Sequence, residues 1–223
     1  MTIGLPATDW VPPLLRYYDR FKTERLTDFL RRLDCKASAD WLAGLTPTDR
    51  ISSMNNIIQV VDAANTVGDV FSEAFEFETE AFVRVVDGPI YGLRFAKYVV
   101  LKMDYYYQNH AQRMHFETIS VEHILPQNPK NTSQWVKDFS SEDRLRWTDR
   151  LGNLVIITRR KNSSQGRLDF KDKSKKYFEK NIDTCPNSLR VLKKYDRWTP
   201  QQVAENHKTL IEKIKHEYGI SEA

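Results

Sequence analysis

Three short segments of the chain carry side chains that could act together on a phosphodiester bond. The first reads Glu-His-Ile-Leu-Pro-Gln over residues 122–127, the second Leu-Gly-Asn-Leu over 151–154, and the third Thr-Arg-Arg-Lys-Asn over 158–162. Hydrolysis of a phosphodiester needs a base for the attacking water, a divalent cation and positive charge around the phosphate. A carboxylate, an imidazole and two carboxamides can supply the base and the metal ligands. The pattern therefore indicates a nuclease.

Each of the four side chains suits one role. His123 suits the general base, because an imidazole with an ordinary pKa of about 6.5 is neutral and accepts protons near neutral pH. Glu122 offers an anionic oxygen and Asn162 a neutral carbonyl oxygen, which together suit Mg²⁺ or Mn²⁺ better than zinc. Adjacent strand residues face opposite sides, so we expect the metal and the water on different sides of the scissile phosphate. Asn153 is expected to hydrogen-bond across the loop after His123 and fix its shape.

Two other functions remain open at this point. An isolated Glu-His pair is ordinary surface, and an Asn after a Gly is ordinarily a turn residue. A non-catalytic DNA-binding module would need the basic residues but not His123. A purely helical interaction domain, in which the strand pair is incidental, would need neither. The presence of both His123 and Asn162 in the expected order favours an enzyme.

The charge distribution indicates where DNA would bind. Residues 1–110 carry 12 basic and 15 acidic side chains, whereas residues 111–223 carry 22 and 15, and residues 159–180 carry nine and three. A basic stretch beside the candidate site fits a phosphate backbone, although a solvated helix face would look the same. The predicted DNA-binding residues are Arg159, Arg160, Lys161, Arg167, Lys173 and Lys176.

Composition excludes several other classes of protein. The chain has 223 residues, of which 40% are hydrophobic and 12% aromatic, enough for a substantial core. Its apolar runs fall short of the roughly 20 residues of a membrane span, and no secretion signal is visible. We therefore expect a cytoplasmic protein. Cys35 and Cys185 lie in different regions of the chain with no companion at metal-ligand spacing, which supports neither a disulfide framework nor a cysteine zinc site.

The elements that would position these residues are mostly helices. Apolar residues at three- and four-residue spacing predict helices over 24–43, from Pro47 with Thr46 as N-cap, near 76–86 and over 91–107. Ile51 is predicted on a buried face and Lys102 on an exposed one. Residues 132–150 read as a helical insertion, a basic helix ends near Phe178, and a capped helix follows Thr199. Strands are predicted around 119–122 and 154–158. The fold class is therefore mainly α with a small β-hairpin.

With these residues in place, the stretch 122–178 resembles an HNH nuclease of the ββα-metal type. It is most similar to the C-terminal domain of GmrSD-type modification-dependent restriction enzymes, which has Glu-His-x-x-Pro-Gln, Leu-Gly-Asn-Leu, an Asn and then Phe-x-x-Lys-x-x-x-Tyr. The last segment is matched here by Phe170, Lys173 and Tyr177. The HNH domain of RNA-guided CRISPR nucleases is similar over 123–127 and 157–162 but has Asp where this chain has Glu122.

The resemblance implies functions for the individual residues. It makes His123 the general base, Glu122 and Asn162 the metal ligands, and Asn153 the support of the loop, with Lys173 falling on the Lys of the family. It also implies three regions: a helical region over 1–110, a ββα-metal nuclease core over 111–185, and C-terminal helices over 186–223 that pack on the core. The expected activity is that of a metal-dependent DNA endonuclease or nickase.

The resemblance also implies a partner domain. In the GmrSD-type family an N-terminal half hydrolyses nucleotide and senses modification, but this chain contains no Gly-rich phosphate loop. We therefore expect a sensor domain that is absent from this chain. The two-part plan is similar to that of SspE-like, phosphorothioation-dependent phage-defence proteins, so the expected role is antiviral restriction.

Overall fold

The computed structural model describes residues 5, 7–108, 119–158, 168–178 and 185–220. It confirms a mainly α fold with one small antiparallel hairpin. The chain divides into two compact units, residues 1–85 and 86–223; the functional division at residues 110 and 185 stays a prediction. In the part of the chain that the structure covers, no helix is both long and apolar enough to span a membrane.

The first unit is built from helices α1 (Val11–Phe21), α2 (Leu26–Leu42) and α3 (Pro47–Ala63). The predicted start of α3 is confirmed: the side chains of Thr46 and Asp49 bond each other's backbone N–H groups in a capping box. Two short 3₁₀ turns, Val67–Val70 and Glu73–Phe75, then lead to α4 (Thr79–Asp87), which ends in the second unit.

Aromatic rings fill the core of the first unit. The rings of Tyr17 and Phe29 stack with centroids 3.9 Å apart, and Phe75 meets Phe29 edge to face. Met54, Ile57 and Val61 bury the predicted face of α3. The prediction for Ile51 was wrong, because its residue is 53% exposed. Ile51 lies in the second turn of α3, and its position in the helical period is not covered by another described element.

The second unit surrounds the hairpin with helices. Strand β1 (Ile119–His123) pairs with β2 (Leu154–Thr158), with Glu122 opposite Val155 and His123 opposite Leu154. The predicted helical insertion between the strands consists of α6 (Gln134–Asp138) and α7 (Ser141–Trp147). Within the described residues, the other α-helices of this unit are, in chain order, α5 (Ala96–Tyr107), α8 (Phe170–Phe178), α9 (Pro186–Lys194) and α10 (Pro200–Glu217).

One apolar cluster joins the insertion, the hairpin and the C-terminal helices. It contains Ile124, Leu125, Trp135, Phe139, Trp147, Val155, Ile157, Phe170, Val191, Tyr195, Trp198 and Val203. The loop that follows His123 is thus anchored in the core by Ile124 and Leu125. The prediction that Lys102 is exposed was wrong: it is 9% exposed, and its Nζ donates to the hydroxyls of Tyr98 and Tyr218. Tyrosine hydroxyls at the end of the side chain allow this ammonium to be buried.

Candidate active site

The two candidate site residues at the end of β1, Glu122 and His123, lie on opposite faces of the hairpin, as predicted. Glu122 shares its face with Val155 and contacts α8, whereas His123 shares its face with Leu154 and contacts the segments around Tyr91 and Asp149. The alternation of side chains along a strand produces this division. Each residue therefore has its own set of partners.

An ion pair between a buried Lys and a partly buried Glu occupies the Glu122 face. Nζ of Lys173 lies 3.0 Å from Oε1 of Glu122 and 2.6 Å from the carbonyl oxygen of His123, to which it donates. Mostly apolar side chains enclose the pair, including Val155, Ile157, Phe170, Val191 and Leu192. Burial lowers the pKa of Lys173, and the Glu122 carboxylate opposes this shift. Lys173 thus belongs to the site itself and not to an outward surface of α8.

A more open polar cluster occupies the His123 face. Nε2 of His123 lies 3.0 Å from Oδ1 of Asp149, and the amide nitrogen of Gln127 donates to the same oxygen at 3.1 Å. The Tyr91 ring packs against the imidazole with centroids 4.1 Å apart. Burial lowers the pKa of His123, and the hydrogen bond to Asp149 opposes the shift. A lowered pKa favours the neutral, proton-accepting imidazole at neutral pH.

Asn153 makes the predicted hydrogen bonds across the loop that follows His123. Its Oδ1 accepts from the backbone N–H of Leu125 at 2.8 Å, and its Nδ2 donates to the carbonyl oxygens of Leu125 at 2.9 Å and Thr148 at 2.8 Å. The indole N–H of Trp198 also donates to Oδ1. Asn153 is fully buried. Four hydrogen bonds in a buried setting fix both the carboxamide and the loop.

Helix α10 supports the turn that carries Asn153. Asn206 donates to the carbonyl oxygen of Gly152 at 2.7 Å, and the backbone N–H of Gly152 donates to Nδ1 of His207 at 3.1 Å. A Cβ at Gly152 would lie 2.5 Å from Cβ of His207 and 2.8 Å from its Cα. Only glycine permits this approach of the helix to the turn.

The structure leaves several predicted residues undecided. Asn162, Arg159, Arg160, Lys161 and Arg167 lie outside the described residues, and Lys176 lies on α8 without a described side chain. Their predicted roles stay predictions.

Three residues of the His123 face were missed by the sequence reasoning. They are Asp149, Tyr91 and Gln127. Gln127 stands in the first quoted segment and could have been singled out there. Asp149 and Tyr91 lie 26 and 32 residues from His123 along the chain, where spacing in one sequence gives no signal.

The side chains at the end of β1 provide only part of a metal site. Lys173 bonds one oxygen of the Glu122 carboxylate, Oε1, so the hard anionic donor is present but shares its charge with an ammonium. Across the described ranges, which do not include Asn162, no group of three or more His, Cys, Asp or Glu side chains could hold a metal ion. Such a donor set fits a Mg²⁺ or Mn²⁺ ion that keeps most of its waters.

Comparison with known proteins gives a family match, which covers most of the second unit. No curated protein and no solved structure matches the chain. The family described as GmrSD restriction endonucleases, C-terminal domain, matches residues 86–213, more than half of the chain. This range begins in α4 and includes the hairpin. It also includes Lys173 and Asp149, which bond Glu122 and His123, and Asn206 and His207 of α10. The chain therefore belongs to the family of GmrSD restriction endonuclease C-terminal domains.

Proposed function

We propose that the second unit hydrolyses DNA phosphodiester bonds as a metal-dependent HNH endonuclease or nickase. The observation that carries the proposal is the end of β1, where a His held by a carboxylate and a Glu paired with a buried Lys occupy the two faces of one strand. An imidazole and a carboxylate at adjacent strand positions, with the Lys173 ammonium beside them, are groups that attack on a phosphodiester requires.

His123 is the proposed general base. Its imidazole takes a proton from the attacking water, and burial favours the neutral form that this step needs. Asn153 positions the imidazole indirectly, because it bonds both backbone groups of Leu125 in the loop that follows His123. The buried loop keeps the imidazole from moving away from the end of β1.

Glu122 and Asn162 are the proposed ligands of Mg²⁺ or Mn²⁺. When bound, the ion would neutralise charge on the phosphate and on the leaving oxygen. Lys173 holds one oxygen of Glu122 and thereby orients the carboxylate. Its ammonium also adds positive charge where the phosphate would approach, so Lys173 affects the rate as well as DNA binding in this proposal.

The DNA backbone is proposed to follow the basic stretch after β2. Arg159, Arg160, Lys161, Arg167 and Lys176 would contact phosphates. Replacing one such residue by Ala should weaken binding to all sequences alike and reduce the slope of log affinity against log salt by about 0.9 per lost contact. Fluorescence anisotropy with duplex DNA over a salt series measures the slope. Unaltered slopes in every variant would show that DNA does not bind along this basic stretch.

The proposed biological role is supported by the family match. A GmrSD-type C-terminal domain is proposed to act as the effector of a modification-dependent restriction or phage-defence enzyme. Its proposed partner is an N-terminal nucleotide-hydrolysing domain that senses the modification. The alternative function is a DNA-binding module that retains the HNH scaffold without cutting, for which His123 would be dispensable.

A nicking assay on supercoiled plasmid tests the proposed activity. The full chain is incubated with plasmid in Mg²⁺, Mn²⁺ or chelator, and the relaxed and linear forms are separated on a gel. We expect conversion with either metal and none with chelator. Conversion that persists in chelator would contradict the metal requirement, and binding without any conversion would favour the non-catalytic alternative.

A further inference from the structure

The carboxylate of Asp149 bonds both the candidate base, His123, and the side chain of Gln127. Its Oδ1 lies 3.0 Å from Nε2 of His123 and accepts from the Gln127 amide at 3.1 Å. The Gln127 amide nitrogen can only donate, so this oxygen is an acceptor for both neighbours. An ionised carboxylate has no proton to give, and the bond to His123 therefore needs the imidazole proton on Nε2.

The backbone of Asp149 is held in place independently of its side chain. The carbonyl oxygen of Asp149 accepts from the backbone N–H groups of Ile90 at 2.9 Å and Tyr91 at 3.1 Å. Arg150 forms a β-bridge with Pro89, and its guanidinium donates to the carbonyl oxygen of Asp87. The segment before α5 thus fixes the carboxylate and brings the Tyr91 ring against the imidazole. A carboxylate on a fixed backbone can orient a ring with little loss of freedom.

We propose that Asp149 is a positioning residue, which holds His123 in the tautomer that carries its proton on Nε2 and leaves Nδ1 to accept the proton of the attacking water. The inference rests on the proposed nuclease function. Among the residues that the structure describes, none bonds Nδ1 of His123. In hydrolases with a Ser-His-Asp triad, the Asp likewise bonds one ring nitrogen of the His and fixes its tautomer, and the other ring nitrogen acts as the base. In this site the orienting carboxylate comes from the residue pair just before the Leu-Gly-Asn-Leu turn.

Cleavage kinetics of Asp149 variants test the positioning role. Asp149→Asn keeps the shape but removes the charge, and Asp149→Ala removes the acceptor. We expect kcat to fall by at least about tenfold to hundredfold in both, the range seen for outer-shell partners that orient a ligating imidazole, while KM and DNA affinity stay within about twofold. The matched control is Asp143→Asn, which removes the carboxylate that bonds the N-cap residue Ser140 in the capping box of α7, in the same insertion. A merely structural contribution would lower activity in the control as well.

The tautomer itself is measured without catalysis. In the full chain labelled with ¹⁵N-histidine, long-range ¹H–¹⁵N correlation distinguishes a protonated Nε2 from a protonated Nδ1, and His123→Gln assigns the signals. We expect His123 of the wild type to carry its proton on Nε2, and Asp149→Ala to give a mixture. The exposed His216, on α10, whose Nδ1 lies 3.7 Å from Oε1 of Glu217, serves as an internal reference for a solvated ring.

The two measurements separate failure of this inference from failure of the nuclease proposal. A wild type that does not cut while its His123 is protonated on Nε2 supports the Asp149 contact and overturns the proposed activity. A wild type that cuts, with both Asp149 variants at the wild-type kcat or above it, overturns the positioning role. A proton on Nδ1 in the wild type also overturns it, whatever the kinetics.

Discussion

The two faces of β1 differ in how far their charged side chains are buried. On one face the Lys173 and Glu122 side chains are 4% and 12% exposed, and apolar side chains surround them. On the other face the Asp149 side chain that bonds His123 is 40% exposed. A buried ion pair depends strongly on both partners, whereas a half-exposed carboxylate interacts with water as well. The Glu122 face therefore supplies fixed charge, and the His123 face is the more exposed to water.

The largest expected effect comes from breaking the buried pair. Lys173→Met leaves the Glu122 carboxylate buried without its ammonium, which should lower the free energy of unfolding by about 3–5 kcal/mol. Urea denaturation followed by circular dichroism measures the change. Adding Glu122→Gln to Lys173→Met should restore part of the lost stability.

A surface pair on α10 provides the control for this experiment. Nζ of Lys208 lies 3.7 Å from Glu212, and the two side chains are 80% and 50% exposed. Lys208→Met should therefore change stability by less than about 1 kcal/mol. Equal losses for Lys173→Met and Lys208→Met would show that the Lys173–Glu122 pair contributes no more than an exposed pair, contrary to the burial described.

On the more open face, the expected effect is on rate and not on folding. His123→Ala should reduce cleavage by at least about 10² while DNA affinity stays nearly unchanged, because the imidazole acts on water and does not hold the DNA. Single-turnover nicking and anisotropy measure the two quantities. His216→Ala is the matched control, since its side chain is 81% exposed. Cleavage retained by His123→Ala would remove His123 as the base.

Metal dependence should follow the Glu122 face alone. Glu122→Gln and Asn162→Ala each weaken or remove an oxygen donor, so activity should fall roughly tenfold and return in part at high Mg²⁺ or Mn²⁺. Asn153→Ala should lower activity without a change in the metal concentration at half-maximal rate, because Asn153 acts through the loop. Metal titrations of the nicking rate distinguish the two patterns. Three unchanged titrations at full rate would contradict the assigned site.

The smallest effect is expected from the ring beside the imidazole. Tyr91→Leu removes an aromatic contact with His123, which is worth about 0.5–1.5 kcal/mol, or roughly two- to tenfold in rate. Tyr105→Leu, which changes a similarly exposed tyrosine on α5, is the control. A loss as large as that of His123→Ala would mean that Tyr91 contacts the reacting groups directly.

Much of this site could be predicted from the sequence because its signals are local. The period of two around 119–122 and the β-branched run 154–158 predicted the hairpin, and Thr199 with Pro200 predicted the start of α10. The hydrogen bonds of Asn153 across the loop were also predicted, since a carboxamide at the start of the second strand lies opposite the end of the first.

The parts that could not be predicted depend on contacts between distant segments. Lys102 is buried because Tyr218, which lies 116 residues later, accepts from its ammonium. Asp149 meets His123 through an insertion whose path is set by Trp135, Phe139 and Trp147 in the core. The burial of Lys173 beside Glu122 likewise requires α8 to pack against the hairpin. Helical periodicity locates a face but does not say which partner covers it.

The close approach of Gly152 to His207 determines when the site can form during synthesis. The ribosome synthesises both strands and the Leu-Gly-Asn-Leu turn before Trp198, Asn206 and His207, which bond that turn. A nascent chain therefore holds Glu122 and His123 before the supports of their loop exist. Because a domain folds as a unit, Glu122 and His123 reach the arrangement described above only when α10 has emerged.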